Sequence, residues 1–266
     1  MTMILAITNQ KGGVGKTTTA VNLAASLAAT RRKVLLLDLD PQGNATTGSG
    51  VDKYHLEKSL YEVLTRKCST EEAIVKCPEA GYDLLPANAD LTAAEVELIN
   101  VIGRELRLKR ALAEVSDRYD YILIDCPPSL SMLTVNAMVA SEAVFIPMQC
   151  EYFALEGLSA LMETVESIRE AYNPDLQIEG LLRTMYDPRA GLTNDVSAQL
   201  TEHFGDKLYD TVIPRNIRLA EAPSHGVPAL VYDRTSRGAL AYLALAGEMN
   251  RRHRSRRGAD KVREQV

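Results

Sequence analysis

The sequence predicts a doubly wound α/β fold, in which helices cover both faces of a mostly parallel sheet. Short apolar runs such as VLLLD, YILID and AVFIP are hydrophobic at nearly every position, which is typical of strands buried on both faces. These runs alternate with segments of helical periodicity along the chain. With 266 residues, of which 46% are hydrophobic, the chain is long enough for one large domain of this class.

The order of the predicted segments follows this alternation. Strands are predicted at residues 4–8, 34–38, 82–86, 121–125, 143–148, 178–184 and 208–213. Helices are predicted at residues 16–29, 91–99, 106–115, 133–139, 155–171, 196–204 and 238–250. Because no repeat or low-complexity linker interrupts the pattern, residues 1–250 are predicted to form a single domain. Residues 251–266, RRHRSRRGADKVREQV, differ in composition and are predicted to form a basic, mobile tail.

Composition excludes several classes of protein. No stretch approaches the roughly 18 apolar residues of a membrane helix, so a soluble protein is expected. The cysteines form no CxxC pair and show no metal-ligand spacing, which favours reduced thiols in the cytoplasm. The net charge is −5, but residues 183–257 hold 12 Lys+Arg and 8 Asp+Glu. This local positive excess indicates either a surface that faces a polyanion or a solvated basic helix.

The segment QKGGVGKT at residues 10–17 has the composition of a phosphate-binding loop. It follows the first predicted strand and begins the first predicted helix, where the positive end of the helix favours an anion. Backbone N–H groups of a glycine-rich loop at this place can point at phosphate oxygens. The predicted cradle consists of Gly12, Gly13, Val14 and Gly15.

The polar side chains of the same loop predict which phosphates they contact. Lys16 is placed to reach the β- and γ-phosphates, and the Thr17 hydroxyl to coordinate Mg²⁺. Thr18 is placed to donate to the α-phosphate. The loop departs from the pattern GxxxxGK[ST] because Gln10 stands where glycine is usual, and a second lysine, Lys11, follows it.

Carboxylates end two further predicted strands. The run LLLDLDP places Asp38 and Asp40 after one buried strand, and YILIDCPPS places Asp125 after another. The carboxyl ends of parallel strands border the crevice where ligands bind in this fold class. Asp125 is predicted to hold the Mg²⁺ shell through water, and Asp40 to orient or deprotonate the attacking water. For Asp38, loop anchoring and a metal-shell role both stay open.

Five segments together resemble the ParA/Soj family of chromosome-partition ATPases, which carry the deviant Walker A loop: KGGVGKTTTAVNLA, LLLDLDPQGNAT, YILIDCPPSL, PMQCEYFALEGL and VIPRNIRLAEAPSHG. The resemblance implies a single P-loop ATPase domain over residues 1–250, with ATP and Mg²⁺ as its cofactors. In that family the lysine matched by Lys11 reaches across a dimer interface to the partner's nucleotide. The resemblance therefore implies an ATP-dependent homodimer with Lys11, Lys16 and Asp40 as catalytic residues.

The same resemblance implies a DNA surface and further nucleotide contacts. Arg189 and Arg218 match positions that contact double-stranded DNA without sequence preference. The family also implies slow ATP hydrolysis, stimulated by a ParB-type centromere-binding partner, and a place in the cytoplasm on the nucleoid. Adenine is expected to contact Met185, Pro214 and Asn216, whereas Glu151 is expected to face the partner subunit and contact its nucleotide.

Three other classes of protein share parts of these patterns. The main alternative, a MinD-like membrane-cycling ATPase, ends in an amphipathic helix, whereas the tail here has only Val262 and Val266 larger than alanine among its apolar residues. A redox ATPase resembling the nitrogenase iron protein needs cysteines that bridge a cluster, and Cys126 has no second cysteine in the right setting. A sequence-specific partition repressor is not expected, because only nine residues precede Gln10.

Overall fold

A seven-stranded sheet forms the centre of the computed structural model, which describes residues 2–263 and the side chains of residues 2–255. The strands are β1 (Met3–Ile7), β2 (Val34–Asp38), β3 (Val75–Cys77), β4 (Tyr82–Leu85), β5 (Tyr121–Asp125), β6 (Ala143–Gln149) and β7 (Gln177–Thr184). They lie in the order β3-β4-β2-β5-β1-β6-β7. All neighbouring strands are parallel except β3 and β4, so the predicted mostly parallel sheet is confirmed.

Helices connect the strands and cover the sheet. They are α1 (Lys16–Ala29), α2 (Asn44–Gly48), α3 (Leu60–Leu64), α4 (Thr70–Ala73), α5 (Leu91–Leu98), α6 (Arg107–Ala113), α7 (Met132–Ala140), α8 (Ala154–Ala171), α9 (Gly191–Phe204), α10 (Ile217–Glu221), α11 (Ala229–Tyr232) and α12 (Arg237–Arg263). The short helices α3 and α4 both begin with a capping box, in which a serine and the glutamate three residues later satisfy each other's backbone N–H groups. Such caps allow helices of one turn to form.

Alternate residues of the central strands point to opposite faces of the sheet. Leu36 and Leu123 belong to a core that includes α1 and α12, whereas Leu37 and Ile124 belong to a core that includes α3, α6 and α7. A third core joins β6 and β7 to α8 and α9. Burial on both faces explains why these strands are apolar at every position rather than at every second one. The predicted doubly wound fold is therefore confirmed.

One predicted strand was wrong. Residues 208–213 do not form a strand, although isolated bridges join Leu208 to Leu181 and Pro214 to Tyr186. The backbone N–H groups of Asp210 and Thr211 instead donate to the carboxylate of Glu248 in α12, at 3.0 and 2.9 Å. Tyr209 and Ile213 do donate to the carbonyls of Leu181 and Arg183 in β7, but no continuous ladder forms between these segments and β7 is an edge strand.

Short elements were missed by the sequence analysis. The antiparallel edge strand β3 has three residues, and the helices α2, α3, α4, α10 and α11 have four or five each. Segments of this length contain too few residues for a helical or strand period to be recognised. They lie outside the central strands and the long helices, so they change no layer of the predicted fold.

The last helix continues past the predicted end of the domain. α12 runs from Arg237 to Arg263, and within it the Arg252 guanidinium donates to the carbonyls of Asp206 and Leu208. The predicted division of the chain at residue 250 stays a prediction, although it falls within this helix. Residues 264–266 of the predicted tail lie outside the described residues. None of the helices in residues 2–263 is both long and apolar enough to cross a lipid bilayer.

Candidate functional site

The loop between β1 and α1 is open towards the carboxyl edge of the sheet. Gly13 and Gly15 have φ angles of 74° and 85°, a conformation that side chains with a Cβ adopt only at a cost. A Cβ placed on Gly12 or Gly13 would meet no atom within 4 Å, so the cradle borders free space. The Thr184 hydroxyl at the end of β7 donates to the carbonyl of Val14 at 2.8 Å and fixes the loop to the sheet.

Lys16 points into its own loop. Its ammonium donates to the backbone carbonyls of Asn9 and Lys11, at 2.9 and 3.0 Å, and only 7% of the residue is exposed. Burial lowers the pKa of Lys16, and the negative charges of Asp125 and Asp40 oppose this shift. The ammonium therefore lies at the centre of the cradle, near both predicted carboxylates.

Lys11 points in a different direction. Its Nζ lies 2.5 Å from the Glu151 carboxylate, and 40% of its side chain is exposed. The Lys11 backbone N–H donates to the side chain of Asn9, which in turn donates to the carbonyl of Pro147 in β6. Gln10, the unusual residue of the loop, donates to the Thr164 hydroxyl on α8 at 3.1 Å. Position 10 thus makes a side-chain contact that glycine would lack.

Asp38 is an anchoring residue in this structure. Its buried carboxylate accepts hydrogen bonds from the backbone N–H and the hydroxyl of Thr46 in α2, at 2.7 and 2.8 Å. It also accepts one from the Asp40 backbone N–H at 3.2 Å. Burial raises the pKa of Asp38 to about 6, while the bonds from Thr46 oppose the shift. Of the two roles left open for Asp38, loop anchoring is the one with contacts in the structure.

Asp125 has a buried carboxylate with no hydrogen bond of normal geometry. Burial raises its pKa well above the usual range, and the charge of Asp38 raises it further. The Thr17 hydroxyl opposes this shift, which places the second predicted Mg²⁺ ligand beside the carboxylate. Among the described residues no group of three or more His, Cys, Asp or Glu side chains can hold a metal. Mg²⁺ in nucleotide sites needs only one or two protein ligands besides phosphates and water, so this pair fits it.

Asp40 lies at the edge of the site and is partly exposed. One of its oxygens accepts the backbone N–H of Gln42 at 2.9 Å. The charge of Asp40 raises the pKa of Lys16 and of Asp125, although burial has the larger effect on both. Asp40 therefore lies near both residues. The structure therefore groups Lys16, Asp40 and Asp125 around one space.

A cleft of about 340 Å³ opens beside the loop. Five predicted nucleotide contacts line it, namely Gly15, Thr18, Met185, Pro214 and Asn216. Met185 adopts a left-handed backbone conformation with φ of 49°, which is uncommon for a residue with a Cβ. Asn216 has a second task, because its side chain caps α10 by accepting the Arg218 backbone N–H at 3.1 Å. The adenine role of these residues stays a prediction.

The two predicted DNA-contacting arginines are both paired with carboxylates. Arg189 donates twice to Asp187, with both distances 2.9 Å, and Arg218 donates to Glu221 at 2.8 Å. The bridge between Tyr186 and Pro214 holds their two segments side by side. Any phosphate that these arginines bind must therefore compete with an acidic side chain of the same chain.

Several positioning residues have no signal in the sequence. Asn9 organises both lysines through its carbonyl and its side chain, and Thr46 supplies two donors to Asp38. Thr184 fixes the phosphate loop from a strand 170 residues away. Each acts through a contact between distant segments, and no local spacing predicts such a contact.

Known proteins with similar sequences include ATPases of chromosome partitioning. A family model described as an AAA domain matches residues 2–178, which include the loop and all three carboxylates. The sporulation initiation inhibitor protein Soj of Bacillus subtilis (strain 168) is 54% identical over 249 residues, which are 94% of this chain and 98% of that protein. The chromosome partitioning protein ParA of Caulobacter vibrioides (strain NA1000 / CB15N) is 52% identical over 255 residues, covering 95% and 96%. The chain belongs to the ParA/Soj family of chromosome-partition ATPases.

A solved structure extends this likeness to three dimensions. Cobyrinic acid a,c-diamide synthase from Mycobacterium smegmatis is 38% identical, with a TM-score of 0.82 over 96% of this chain and 97% of that chain. That protein was solved with a bound ATP analogue and magnesium. The ParA/Soj relatives span both the loop and the later cleft, whereas the AAA-domain match ends at residue 178, before Met185 and Pro214.

Proposed function

We propose that this chain is an ATP-dependent dimerisation switch that partitions chromosomes or plasmids. With Mg²⁺ it binds ATP, pairs with a second copy of itself, binds double-stranded DNA without sequence preference, and hydrolyses ATP slowly. A ParB-type centromere-binding protein stimulates hydrolysis and releases the dimer from DNA. This places the protein in the cytoplasm, on the nucleoid.

The observation that carries the proposal is the divergence of the two loop lysines. Lys16 is buried inside the cradle, where an incoming phosphate would replace the carbonyls that its ammonium now contacts. Lys11 lies outside the cradle, half-exposed and paired with Glu151. A lysine in this position points away from the nucleotide of its own subunit, but it can contact a second subunit docked on this surface. In that position it would add positive charge where the transition state spreads negative charge.

The remaining residues of the site divide the work of hydrolysis. Lys16 binds the β- and γ-phosphates, and Asp40 orients the attacking water and accepts its proton. Thr17 and Asp125, the latter through water, would hold Mg²⁺, which neutralises charge on the phosphates. Asp38 keeps the segment that carries Asp40 in place through its bonds to Thr46. Each role uses a group that the structure brings to one edge of the sheet.

DNA binding follows from the number of phosphate contacts. Neutralising a phosphate releases counterions without reading any base, so affinity grows with the count of contacts rather than with sequence. One subunit offers Arg189 and Arg218, both already paired, which favours weak binding. A dimer doubles the contacts, and binding would then depend on the nucleotide that holds the dimer together.

The test is a salt titration of DNA binding in three nucleotide states. With ATP and Mg²⁺, affinity for two unrelated duplexes should be equal and should fall steeply with salt. With ADP or without nucleotide, binding should be much weaker. Equal affinity in all three states would refute the switch. A pull-down with anionic liposomes checks the MinD-like alternative, which predicts ATP-dependent lipid binding instead.

A further inference from the structure

Helix α5 has apolar residues on its exposed face as well as on its buried face. Leu91, Ala94 and Leu98 face the core, as the spacing of an amphipathic helix requires. Three large aliphatic residues at or beyond its C-terminal turn are also exposed: Val96 in the helix, Ile99 at its C-cap and Ile102 in the turn that follows. Ile102, just past the helix, is 98% exposed. Single exposed aliphatic residues are ordinary, but a row of three within seven residues of the chain is a feature of binding surfaces.

Three arginines without an ion pair border this aliphatic row. Arg66, Arg107 and Arg110 form no salt bridge with any residue whose side chain the structure describes. Burial lowers the pKa of Arg107, and the charges of Arg66 and Arg110 lower it further, so the three lie close together. The Nε and Nη1 atoms of Arg107 are sheltered from solvent and have no hydrogen-bond acceptor.

Two contacts place Arg110 beside the end of the aliphatic row and tie the turn after α5 together. The Arg110 guanidinium packs over Gly103, where a Cβ would lie 3.6 Å from its Nη2, and Gly103 follows Ile102 directly. Arg104, the next residue, donates to the carbonyl of Ile99. Arg66 has a left-handed backbone conformation with φ of 62°, which costs about 1 kcal/mol. This conformation sets the direction in which the backbone leaves α3. The name α5 surface is used below for Val96, Ile99, Ile102, Arg66, Arg107 and Arg110.

The carboxylates of the neighbouring segments do not neutralise these arginines. Glu97 pairs with Lys67, and Glu105 pairs with Arg104. Among the described side chains, no carboxylate forms an ion pair with Arg66, Arg107 or Arg110, and this includes Glu95 of α5 itself. Arg66 and Arg110 are exposed, whereas the unpaired Arg107 guanidinium is partly desolvated, which is unfavourable, so an external acceptor that reaches Arg107 would be bound with a gain.

We propose that the α5 surface docks an amphipathic helical segment of another protein, one that carries large apolar residues flanked by aspartate or glutamate. The apolar residues would cover the row from Val96 to Ile102, and the carboxylates would pair with Arg66 and Arg110. Helical segments bind in this manner through apolar anchors three and four residues apart. This site lies outside the nucleotide cleft and does not depend on the proposed switch.

The chemistry favours a peptide over DNA and over a second copy of this chain. DNA would pair with the arginines but offers no large apolar side chains to cover three exposed aliphatic residues. A second copy docked through the same surface would bring three arginines against three arginines, and the repulsion would oppose association. Arginine is enriched in protein–protein interfaces and in their hot spots, and the aliphatic row supplies apolar area beside it.

A synthetic helical peptide provides the probe. It has about 18 residues, or five helical turns, with leucine at alternating third and fourth positions and glutamate at most others. Its control has lysine in place of every glutamate. Fluorescence anisotropy with the full chain should give saturable binding of the glutamate peptide, weakened by salt, and no binding of the lysine peptide. Equal binding of the two, or no saturable binding of the glutamate peptide, would overturn the proposal.

Variants locate the binding site. Arg66→Glu with Arg110→Glu, and separately Ile102→Ser, should each weaken peptide binding at least tenfold, or about 1.4 kcal/mol. Two controls at distant exposed positions, Lys33→Glu and Leu240→Ser, should leave it unchanged. Circular dichroism checks that each variant is folded, which is expected because all the substituted residues lie on the surface.

Two outcomes would assign the surface to a different partner. If the double arginine variant loses DNA binding and keeps peptide binding, the surface belongs to DNA and the proposal is wrong. If Ile102→Ser changes the sedimentation mass of the protein without changing peptide affinity, the surface joins two copies of the chain and the proposal is again wrong.

Discussion

Asp38 and Asp125 occupy paired positions on the adjacent strands β2 and β5, yet only Asp38 accepts hydrogen bonds of normal geometry. Both carboxylates are fully buried, so the contrast does not come from solvent. Thr46 saturates Asp38 with two donors, and nothing comparable reaches Asp125. The second carboxylate is therefore the one left available to a cation and its water.

This contrast predicts different effects for two similar substitutions. Asp125→Asn keeps the shape but removes the charge, so the gain in ATP affinity on adding Mg²⁺ should fall by about 10–100-fold. Asp38→Asn should instead weaken bonds within the protein and lower the free energy of unfolding by about 1–3 kcal/mol. Calorimetry with Mg²⁺ and with EDTA, together with urea denaturation, measures both. An unchanged Mg²⁺ effect in Asp125→Asn would move the metal site elsewhere.

The loop lysine in the cradle is predicted to be essential for binding. Lys16→Ala should abolish ATP binding, because it removes the only positive side chain that the cradle holds next to the β- and γ-phosphates. Its neighbours Asn9 and Lys11 lose only carbonyl contacts, so the fold should remain, as circular dichroism would show. Wild-type affinity for ATP in this variant would contradict the phosphate-loop assignment.

Asp40 is predicted to act in hydrolysis rather than in binding. Asp40→Ala should bind ATP and dimerise, but its turnover should fall by about 10²–10⁴-fold because the attacking water is no longer oriented or deprotonated. The DNA-bound state would then persist. Single-turnover hydrolysis and gel filtration check the two halves of this prediction. Normal turnover would mean that another carboxylate serves the water.

Much of this site could be predicted because its chemistry is local in sequence. The cradle and Lys16 lie within one loop, and Asp40 and Asp125 each follow a run of apolar residues that predicts a buried strand. Strand order then brings these ends together, because β2, β5 and β1 are neighbours in a parallel sheet. The same reasoning predicted the layers of the fold, which depend on the long elements.

The remainder could not be predicted because it depends on contacts between distant residues. Residues 208–213 have the pattern of a strand, but Glu248 takes two of their backbone donors, and no local rule anticipates a carboxylate 37 residues later. The pairing of Lys11 with Glu151 joins segments 140 residues apart. The acids that pair with Arg189 and Arg218 are near them in sequence, but sequence spacing alone does not show whether an ion pair forms.

The two paired arginines lead to a prediction on DNA binding. Arg218→Glu, or Arg189→Glu, should leave ATP-dependent dimerisation intact and weaken binding to all duplexes equally. The slope of log K against log salt should shrink by about 0.9 for each phosphate that the variant no longer neutralises. Glu221→Gln is the matched partner variant: it removes one of the two carboxylates paired with Arg218, the other being Asp233 at 3.3 Å, and should strengthen binding. If charge reversal leaves the affinity unchanged, the DNA surface lies elsewhere, with the arginines of residues 251–257 next to test.

The last prediction concerns Lys11, whose direction distinguishes this loop from an ordinary phosphate loop. Lys11→Ala should leave ATP binding by the monomer largely intact, because Lys16, Thr17 and the backbone cradle remain. Dimerisation and hydrolysis should both fall, since the charge that joins the two sites is gone. DNA binding should be lost with the dimer, although no DNA-facing residue has changed.

Mixing two inactive variants gives the sharper test of the same prediction. A Lys11→Ala subunit paired with an Asp40→Ala subunit forms one site that has its own Asp40 and receives Lys11 from its partner. The other site lacks both groups. The mixture should therefore hydrolyse ATP, whereas neither variant alone should do so appreciably. Mass spectrometry or sedimentation must show that mixed dimers form. If they form and the mixture stays as inactive as its parts, Lys11 acts within its own subunit, and its pairing with Glu151 would then be its working position.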